Sequence, residues 1–192
     1  MSKYVEEKAI KSELRDYLYS EATGIADFTQ VSARGHFIAA ERWTSLHLWV
    51  GLPTALMAAL ASASALSQFE YHTIIAALLG IMVTALTAVI TFLNPSEKAY
   101  SHKNAGNKYL SISNEARIFG YIDCYQVKDA EKLIDQLKEF TNRRNELNES
   151  SPLIPSWANK KARKRYEAAR TADEAARTAD MPQEDVGDEG DS

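Results

Sequence analysis

Histidine and cysteine are the side chains that most often bind transition metals or act in catalysis, and this chain has four histidines and one cysteine. Cys124 is the single cysteine, so it forms no intrachain disulfide and is interpreted as a small residue that packs between helices. The sequence has no glycine-rich phosphate loop, no paired-cysteine spacing and no serine elbow. The histidines show no metal-ligand spacing, and they are His36, His47, His72 and His102. The sequence therefore predicts no catalytic, cofactor or metal site and no enzyme.

A second set of polar side chains lies within an otherwise apolar stretch. Gly80, Thr84, Thr87 and Thr91 follow one another at spacings of 4, 3 and 4, which places them on one helical face. An earlier run carries a similar small-residue face, formed by Gly51, Ala55, Ala58, Ser62 and Ala65. In lipid, such faces let helix backbones approach closely. The threonine face could pack the two runs together, pack between protomers, or line a pore. Because neither run contains an Asp, Glu, Lys or Arg, a proton relay or voltage sensor is not favoured.

The elements that carry these faces are two uncharged runs of 21 residues, Leu46–Leu66 and Thr73–Leu93. A helix of roughly 20 apolar residues crosses a hydrocarbon core of about 30 Å. The six residues between the runs are enough for a tight reversal. The sequence therefore predicts an antiparallel transmembrane hairpin, and two buried helices of a soluble protein are the less favoured alternative.

The charges beside the hairpin predict its orientation. Arg34 and Arg42 precede it, and Lys98, Lys103 and Lys108 follow it, whereas the connecting loop has no basic residue. By the positive-inside rule, both termini are expected in the cytoplasm. The first 30 residues show no signal peptide, so the first span is expected to direct insertion. In this topology His72 lies across the membrane from His36 and His102.

Four regions are predicted along the chain. Residues 1–45 form N-terminal helices, one at 3–20 and, after a break at Gly24, a second helical pattern. Residues 46–93 form the hairpin, residues 94–149 form two further helices, and residues 150–192 form a tail. Asn94-Pro95 followed by Glu97 is typical of a helix start, and that helix is expected to run to about Phe119. The fold class is an all-α membrane protein with amphipathic cytosolic helices before and after the hairpin.

The second of the two later helices, from about 128 to 147, carries a wide apolar face. This candidate assembly face consists of Leu133, Ile134, Leu137 and Phe140. Its spacing of threes and fours suits a bundle or a coiled coil. It could pack against residues 3–42 of the same chain or against a second copy, and the sequence favours neither.

The tail begins with a linker at 150–155 and a basic cluster at 160–165. The heptapeptide EAARTAD then occurs twice, at 167–173 and 174–180, and an acidic segment at 184–192 is expected to be disordered. The repeat has no large apolar residue, so a marginal polar helix is expected. The basic cluster could contact anionic lipid, but its distance along the chain from the span favours a solvated helix face.

The segment from Phe92 to His102, followed by Ala105 to Leu110 and by Asn114 to Phe119, resembles the SLATT family, the SMODS and SLOG-associating two-transmembrane effector domains. The residues that carry the resemblance are Asn94, Pro95, His102, Gly106 and Tyr109, with Arg42-Trp43 ahead of the hairpin. Gly106 is otherwise interpreted as a helix-packing residue.

The resemblance implies a multi-pass protein of the bacterial inner membrane. Such a protein is an oligomeric, pore-forming effector in nucleotide-signal-driven defence against phage. It implies the lipid bilayer, further copies of the chain and a separately encoded nucleotide-sensing or nucleotide-producing protein as partners, with no nucleic acid and no cofactor. The alternative is a non-conducting anchor or scaffold for a cytosolic helical module.

Overall fold

The computed structural model describes residues 2–126 and 129–179, with side chains described from residue 12 onward, and this part of the chain is all-helical. Its five helices are α1 (Ser2–Ala65), α2 (His72–Leu93), α3 (Pro95–Ile118), α4 (Ala130–Ser150) and α5 (Ser156–Ala179). A π-helical segment (Phe119–Asp123) and a short turn (Cys124–Gln126) continue from α3. The all-α fold class is confirmed for these residues.

Two helices are long and apolar enough to cross a membrane, and they are the ones that contain the two predicted runs. The first helix ends at Ala65 and the next begins at His72, so each boundary falls within one residue of its prediction. Between them the chain reverses, with Tyr71 in the left-handed region at φ 69°. Residues 46–93 are called the apolar hairpin below, and residues 12–45, 95–126 and 129–179 the polar bundle.

The predicted break at Gly24 is wrong, because α1 is continuous through it. A glycine inside a helix costs about 1 kcal/mol relative to alanine. Its neighbours Ala22, Ile25 and Ala26 are buried in the core of the polar bundle, and this packing outweighs the cost.

The start of α3 matches the prediction in its bounds but not in its cap. Pro95 occupies the first helical position, and the helix ends one residue before the predicted Phe119. Asn94, however, has left-handed backbone at φ 43° and caps no backbone N–H with its side chain. Its side-chain amide donates instead to the carboxylate of Glu97. A residue that turns directly from one helix into the next lacks the extended backbone of an ordinary N-cap.

The core of the polar bundle lies where α4 crosses α1 and α3. Phe119 and Phe140 meet edge to face, with ring centroids 5.6 Å apart, and both side chains are buried. Leu133 is buried in the same cluster as Leu18 and Ile112. Asp129 caps α4 by accepting the backbone N–H groups of residues 131 and 132. The fold thus joins residues from both sides of the apolar hairpin into one core.

The tail packs against the polar bundle through α5, which lies along α1. Ala158 and Ala162 are fully buried beside Ile38 and Ala39. Tyr166 donates a hydrogen bond of 2.5 Å to the Asp27 carboxylate. The linker (151–155) is non-helical as expected, and the repeat is helical and exposed through residue 179. The predicted disordered acidic segment lies outside the described residues.

Candidate functional site

The threonine face of α2 is not the face that packs against α1. The partly buried residues of α2 lie on one side of the helix, and they include Ala76, Leu79, Gly80, Val83, Leu86, Ile90 and Leu93. Thr84, Thr87 and Thr91 are exposed beside this side. Of the predicted set, Gly80 alone borders the contact with α1. Self-packing of the hairpin therefore does not account for the threonines, whereas contact between protomers and pore lining stay predictions.

The small-residue face of the first run is only partly engaged. Gly51 and Ala58 are half-buried toward α2, and Thr54 is buried between them. The other members, Ala55, Ser62 and Ala65, are exposed. The apolar hairpin is thus a narrow pair of helices that leaves most of both surfaces uncovered.

Each threonine hydroxyl in an apolar helix needs a hydrogen-bond partner. Thr84 Oγ1 donates to the carbonyl of Gly80 at 2.8 Å, one turn earlier in its own helix. Thr54 Oγ1 donates to Val50 in the same way at 2.7 Å. Such a hydroxyl still has lone pairs with which to accept a bond from water or a neighbouring chain. The difference between the two is access, because Thr54 is buried and Thr84 is exposed.

The residues that carry the family resemblance lie at the contact of α3 with α1. Pro95, His102, Gly106 and Tyr109 are all buried, while Asn94 is exposed at the junction with α2. At Gly106 the two helices come so close that a β-carbon there would lie 2.8 Å from the Phe37 ring. The predicted packing role of Gly106 agrees with this contact. The motif in this chain therefore holds the two helices together just below the apolar hairpin.

His36 and His102 form a direct pair inside this contact. Their Nδ1 atoms are 3.0 Å apart, and the side chains are 1% and 5% exposed. One imidazole must donate and the other accept, so the two neutral rings hold opposite tautomers. The ring of Tyr109 stacks on His36 at 5.4 Å between centroids. The pair is a buried polar link between the two helices.

Burial and the nearby His102 lower the pKa of His36 to about 4. Burial also lowers the pKa of His102. Because burial disfavours a charge on either ring, the pair is most stable when both rings are neutral. Neutral imidazole is also the metal-binding form. Among residues 12–126 and 129–179, however, no group of three His, Cys, Asp or Glu residues is placed to hold a metal ion.

The candidate assembly face is used inside the monomer. Leu133 and Phe140 are buried, and Ile134 and Leu137 pack against the same core. This is the intramolecular alternative of the two left open by the sequence. An oligomer that used this face would first have to separate α4 from α1.

A second contact holds α4 against α3. The guanidinium of Arg143 binds the Glu115 carboxylate in a bidentate pair, with Nη2 to Oε1 at 3.0 Å. This pairing with Arg143 lowers the pKa of Glu115. Further along, the Tyr109 hydroxyl donates to Asn148 Oδ1 at 2.7 Å. The motif tyrosine thereby connects α3 to the end of α4.

A cavity of about 550 Å³ lies between α1, the linker and α5. Its lining includes His36, Tyr109, Asn148, Arg163 and Tyr166. The side chain of Tyr166 has its pKa raised to about 12, first by burial and then by its hydrogen bond to Asp27. The lining mixes acids, bases and apolar groups, so its charge indicates no ligand class.

The histidine pair was not predicted, although the hairpin register contains the signal for it. In four contacts between α1 and the segment that runs from α3 to Tyr121, the two residue numbers add up to about 140. These contacts are Trp43–Lys98, His36–His102, Ala26–Ser113 and Tyr19–Tyr121. A hairpin that reverses near residue 69 and continues as a straight antiparallel pair places 36 opposite 102. Ligand spacing along the sequence does not reveal the pair, because its two histidines are 66 residues apart and meet only when the chain folds back.

Comparisons with protein-family models, with curated proteins and with solved structures find no match to this chain.

Proposed function

We propose that the chain is an effector of the bacterial inner membrane that assembles from several copies and opens a pore. In this proposal the apolar hairpin crosses the bilayer and both chain termini lie in the cytoplasm. The support is that the apolar stretch of α2 has no buried residue, and that only 6% of the apolar stretch of α1 is buried. A soluble monomer rarely exposes so large a contiguous apolar surface. The basic residues on the two flanks and their absence from the turn support the orientation.

The observation that carries the pore is the exposure of the threonine face. A hairpin of two helices encloses no lumen, so any pore must be lined by faces that several copies contribute. Thr84, Thr87 and Thr91 form the polar stripe that α1 leaves uncovered. Turned toward one another around an axis, these stripes would offer hydroxyl oxygens to water, and the apolar residues would face lipid.

Such a pore has a defined physical character. The lining would carry hydroxyls and small apolar groups and no charge, so conduction would depend on whether water fills the lumen. A small change in packing or in polarity would then switch the lumen between wetted and dewetted states. This switch is a physical basis for an effector that stays closed until it is triggered.

The alternative function is a non-conducting anchor that holds the polar bundle at the membrane. Two observations favour it. The Thr84 hydroxyl is already satisfied by its own helix, so lipid exposure costs it little. The polar bundle also has a core of its own and a cavity of about 550 Å³. Under this reading the bundle acts on a partner and the hairpin only locates it.

The biological setting of the proposal rests on the resemblance to the SLATT family. It adds a role in defence against phage and a separately encoded protein that senses or makes a nucleotide signal. The bilayer and further copies of the chain complete the proposed partners. The buried motif residues are consistent with a shared packing pattern and carry no signal recognition by themselves.

The test uses purified protein in liposomes that report ion flux, together with growth of cells that overexpress it. Thr84→Val with Thr87→Val keeps the side-chain shape and removes the hydroxyls from the exposed face. If the face lines a pore, the apolar lumen dewets, so flux and toxicity are lost while membrane levels stay normal. Thr54→Val makes the same chemical change on the buried face and is expected to keep both activities.

Three outcomes decide between the two functions. Lost flux in the exposed-face variant with retained flux in the buried-face variant supports the pore. Unchanged flux in both removes the threonine face from the conduction path. Absence of flux and toxicity from the unaltered protein favours the anchor.

A further inference from the structure

The docking of α5 returns the tail to the level of the membrane. The ring of Trp157 lies 5.8 Å from the guanidinium carbon of Arg42, which is four residues before the apolar hairpin. In the first turn of α3, the Lys98 Nζ atom lies 4.6 Å from the centroid of the Trp43 ring. The first turn of α5 is therefore level with the last turn of α1 outside the hairpin. The charged residues of the basic cluster are exposed on α5, as predicted, but the cluster lies closer to the hairpin than its distance along the chain indicates, because α5 packs back along α1.

Two large apolar side chains are exposed in the linker and the first turn of α5, and only Trp157 lies at this level. Leu153 is 92% exposed and Trp157 is 45% exposed. Their neighbour Ile154 packs instead against Gly35, where a β-carbon would lie 3.1 Å from its methyl group. The linker is thus fixed to the bundle by one apolar residue while another remains uncovered. Tryptophan at this depth is typical of the belt at a membrane surface.

The charges of α5 are separated along its length. Residues 150–166 contain five basic residues and no acid. Residues 167–179 contain three acids and two arginines. The basic half of α5 is the half nearer the apolar hairpin. Lys160 and Lys161 lie about 5 Å from Trp157 along the helix axis. This distance is shorter than the Debye length of about 8 Å at physiological salt, so a lipid surface at the level of Trp157 would attract both lysines. Glu41 is the acid of α1 nearest this level.

We propose that Trp157, Lys160 and Lys161 form a peripheral binding site for anionic phospholipid. This set is called the α5 lipid site. The Trp157 ring enters the interfacial region, and the two lysine side chains extend along the helix to the lipid phosphates. Each basic residue near an anionic surface strengthens binding by about fivefold. The site would hold α5, and with it the side of the bundle that bears the cavity, against the cytoplasmic leaflet.

The proposal rests on membrane insertion of the hairpin, which is part of the proposed function, and is independent of conduction. Its experiment therefore measures the two separately. One variant keeps Trp157 as the single tryptophan (Trp43→Phe with Trp49→Phe), and another keeps Trp49 within the first run (Trp43→Phe with Trp157→Phe). Each full-length protein is placed in lipid nanodiscs with acyl-brominated phosphatidylcholine or acyl-brominated phosphatidylglycerol. Quenching of fluorescence by each lipid gives the relative affinity at each tryptophan.

Trp157 is expected to be quenched, and more strongly by phosphatidylglycerol than by phosphatidylcholine. Adding Lys160→Gln with Lys161→Gln should lower that preference by at least about fivefold. Lys132→Gln with Lys138→Gln removes the same charge from exposed positions on α4 and should leave it unchanged. This control separates local contact from a change in net charge.

The outcomes distinguish failure of the α5 lipid site from failure of the hairpin to insert into the bilayer. If Trp49 is quenched but Trp157 is not, or if the lipid preference survives loss of the α5 lysines, the α5 lipid site is refuted and the hairpin stands. If the α4 lysines matter equally, the preference is a general charge effect and the site is likewise refuted. If Trp49 is not quenched, the hairpin lies outside the bilayer and both proposals fail.

Discussion

Acidification is expected to loosen the contact between α1 and α3, because burial disfavours a charge on either ring of the His36–His102 pair. The pKa of His36 is about 4 in the folded protein, against an ordinary value of 6.5. Between these values the unfolded chain binds more protons, so the free energy of unfolding falls as the pH falls from about 6.5 to about 4. At about 1.36 kcal/mol per pKa unit, a drop to about pH 5 costs about 2 kcal/mol from His36 alone. His102, whose pKa is also lowered by burial, adds to the loss.

The assay is hydrogen–deuterium exchange of α3 in nanodiscs, corrected for the intrinsic pH dependence of exchange. Amides from Ala105 to Ile112 should exchange about 30-fold faster near pH 5 than near pH 7.5. His36→Leu with His102→Leu should abolish this pH dependence, whatever its effect on overall stability. His72→Gln removes a histidine from the turn of the hairpin and should leave it intact. Persistence of the pH dependence in the double variant would refute the assignment to this pair.

Three further predictions follow from packing and topology. Gly106→Ala places a β-carbon against the Phe37 ring, and the resulting strain of about 1–3 kcal/mol exceeds the helix-propensity gain of about 1 kcal/mol, so the melting temperature should fall. Gly24→Ala places its β-carbon in open space and should raise the melting temperature. Equal shifts in the two variants would contradict this account. Phe140→Ala should cost about 3–5 kcal/mol in chemical denaturation, because the side chain is buried in the monomer core. A topology reporter inserted at Gln68 should act outside the cytoplasm and one after residue 192 inside it; a cytoplasmic signal from the turn would refute the hairpin orientation.

Composition was sufficient to predict the two long apolar helices and the bounds at Ala65, His72 and Pro95. Two uncharged runs of 21 residues and the Asn94-Pro95 junction are strong local signals, and the structure differs from them by one residue. The error at Gly24 came from treating a local propensity as decisive. Tertiary packing of Ala22, Ile25 and Ala26 keeps that helix continuous at a cost of about 1 kcal/mol.

The docking of α5 could not be predicted from its apolar pattern. Its buried contacts are Ala158 and Ala162, which give little contrast in hydrophobicity to the exposed alanines of the repeat. The contact depends on Gly35 and Ala39 of α1 being small enough to admit the tail. Such complementarity exists only once both helices are placed side by side.

The candidate assembly face shows that an apolar pattern can predict a contact without identifying its partner. Its pattern predicted an apolar contact correctly, but a periodicity does not identify the partner. The structure buries Leu133 and Phe140 against Leu18 and Phe119 of the same chain. The threonine face of α2 is uncovered and carries hydroxyls, which makes it the better candidate for contact between copies.

Cysteine cross-linking in native membranes tests the central claim, that the threonine faces of neighbouring copies meet. In a Cys124→Ala background, Thr87→Cys places one thiol on the exposed threonine face, and Val89→Cys places one on the opposite, equally exposed side of α2. Oxidation should produce a covalent dimer from the Thr87→Cys protein and none from the Val89→Cys protein. Equal cross-linking of both would show random encounters, and cross-linking of neither would contradict assembly through this face.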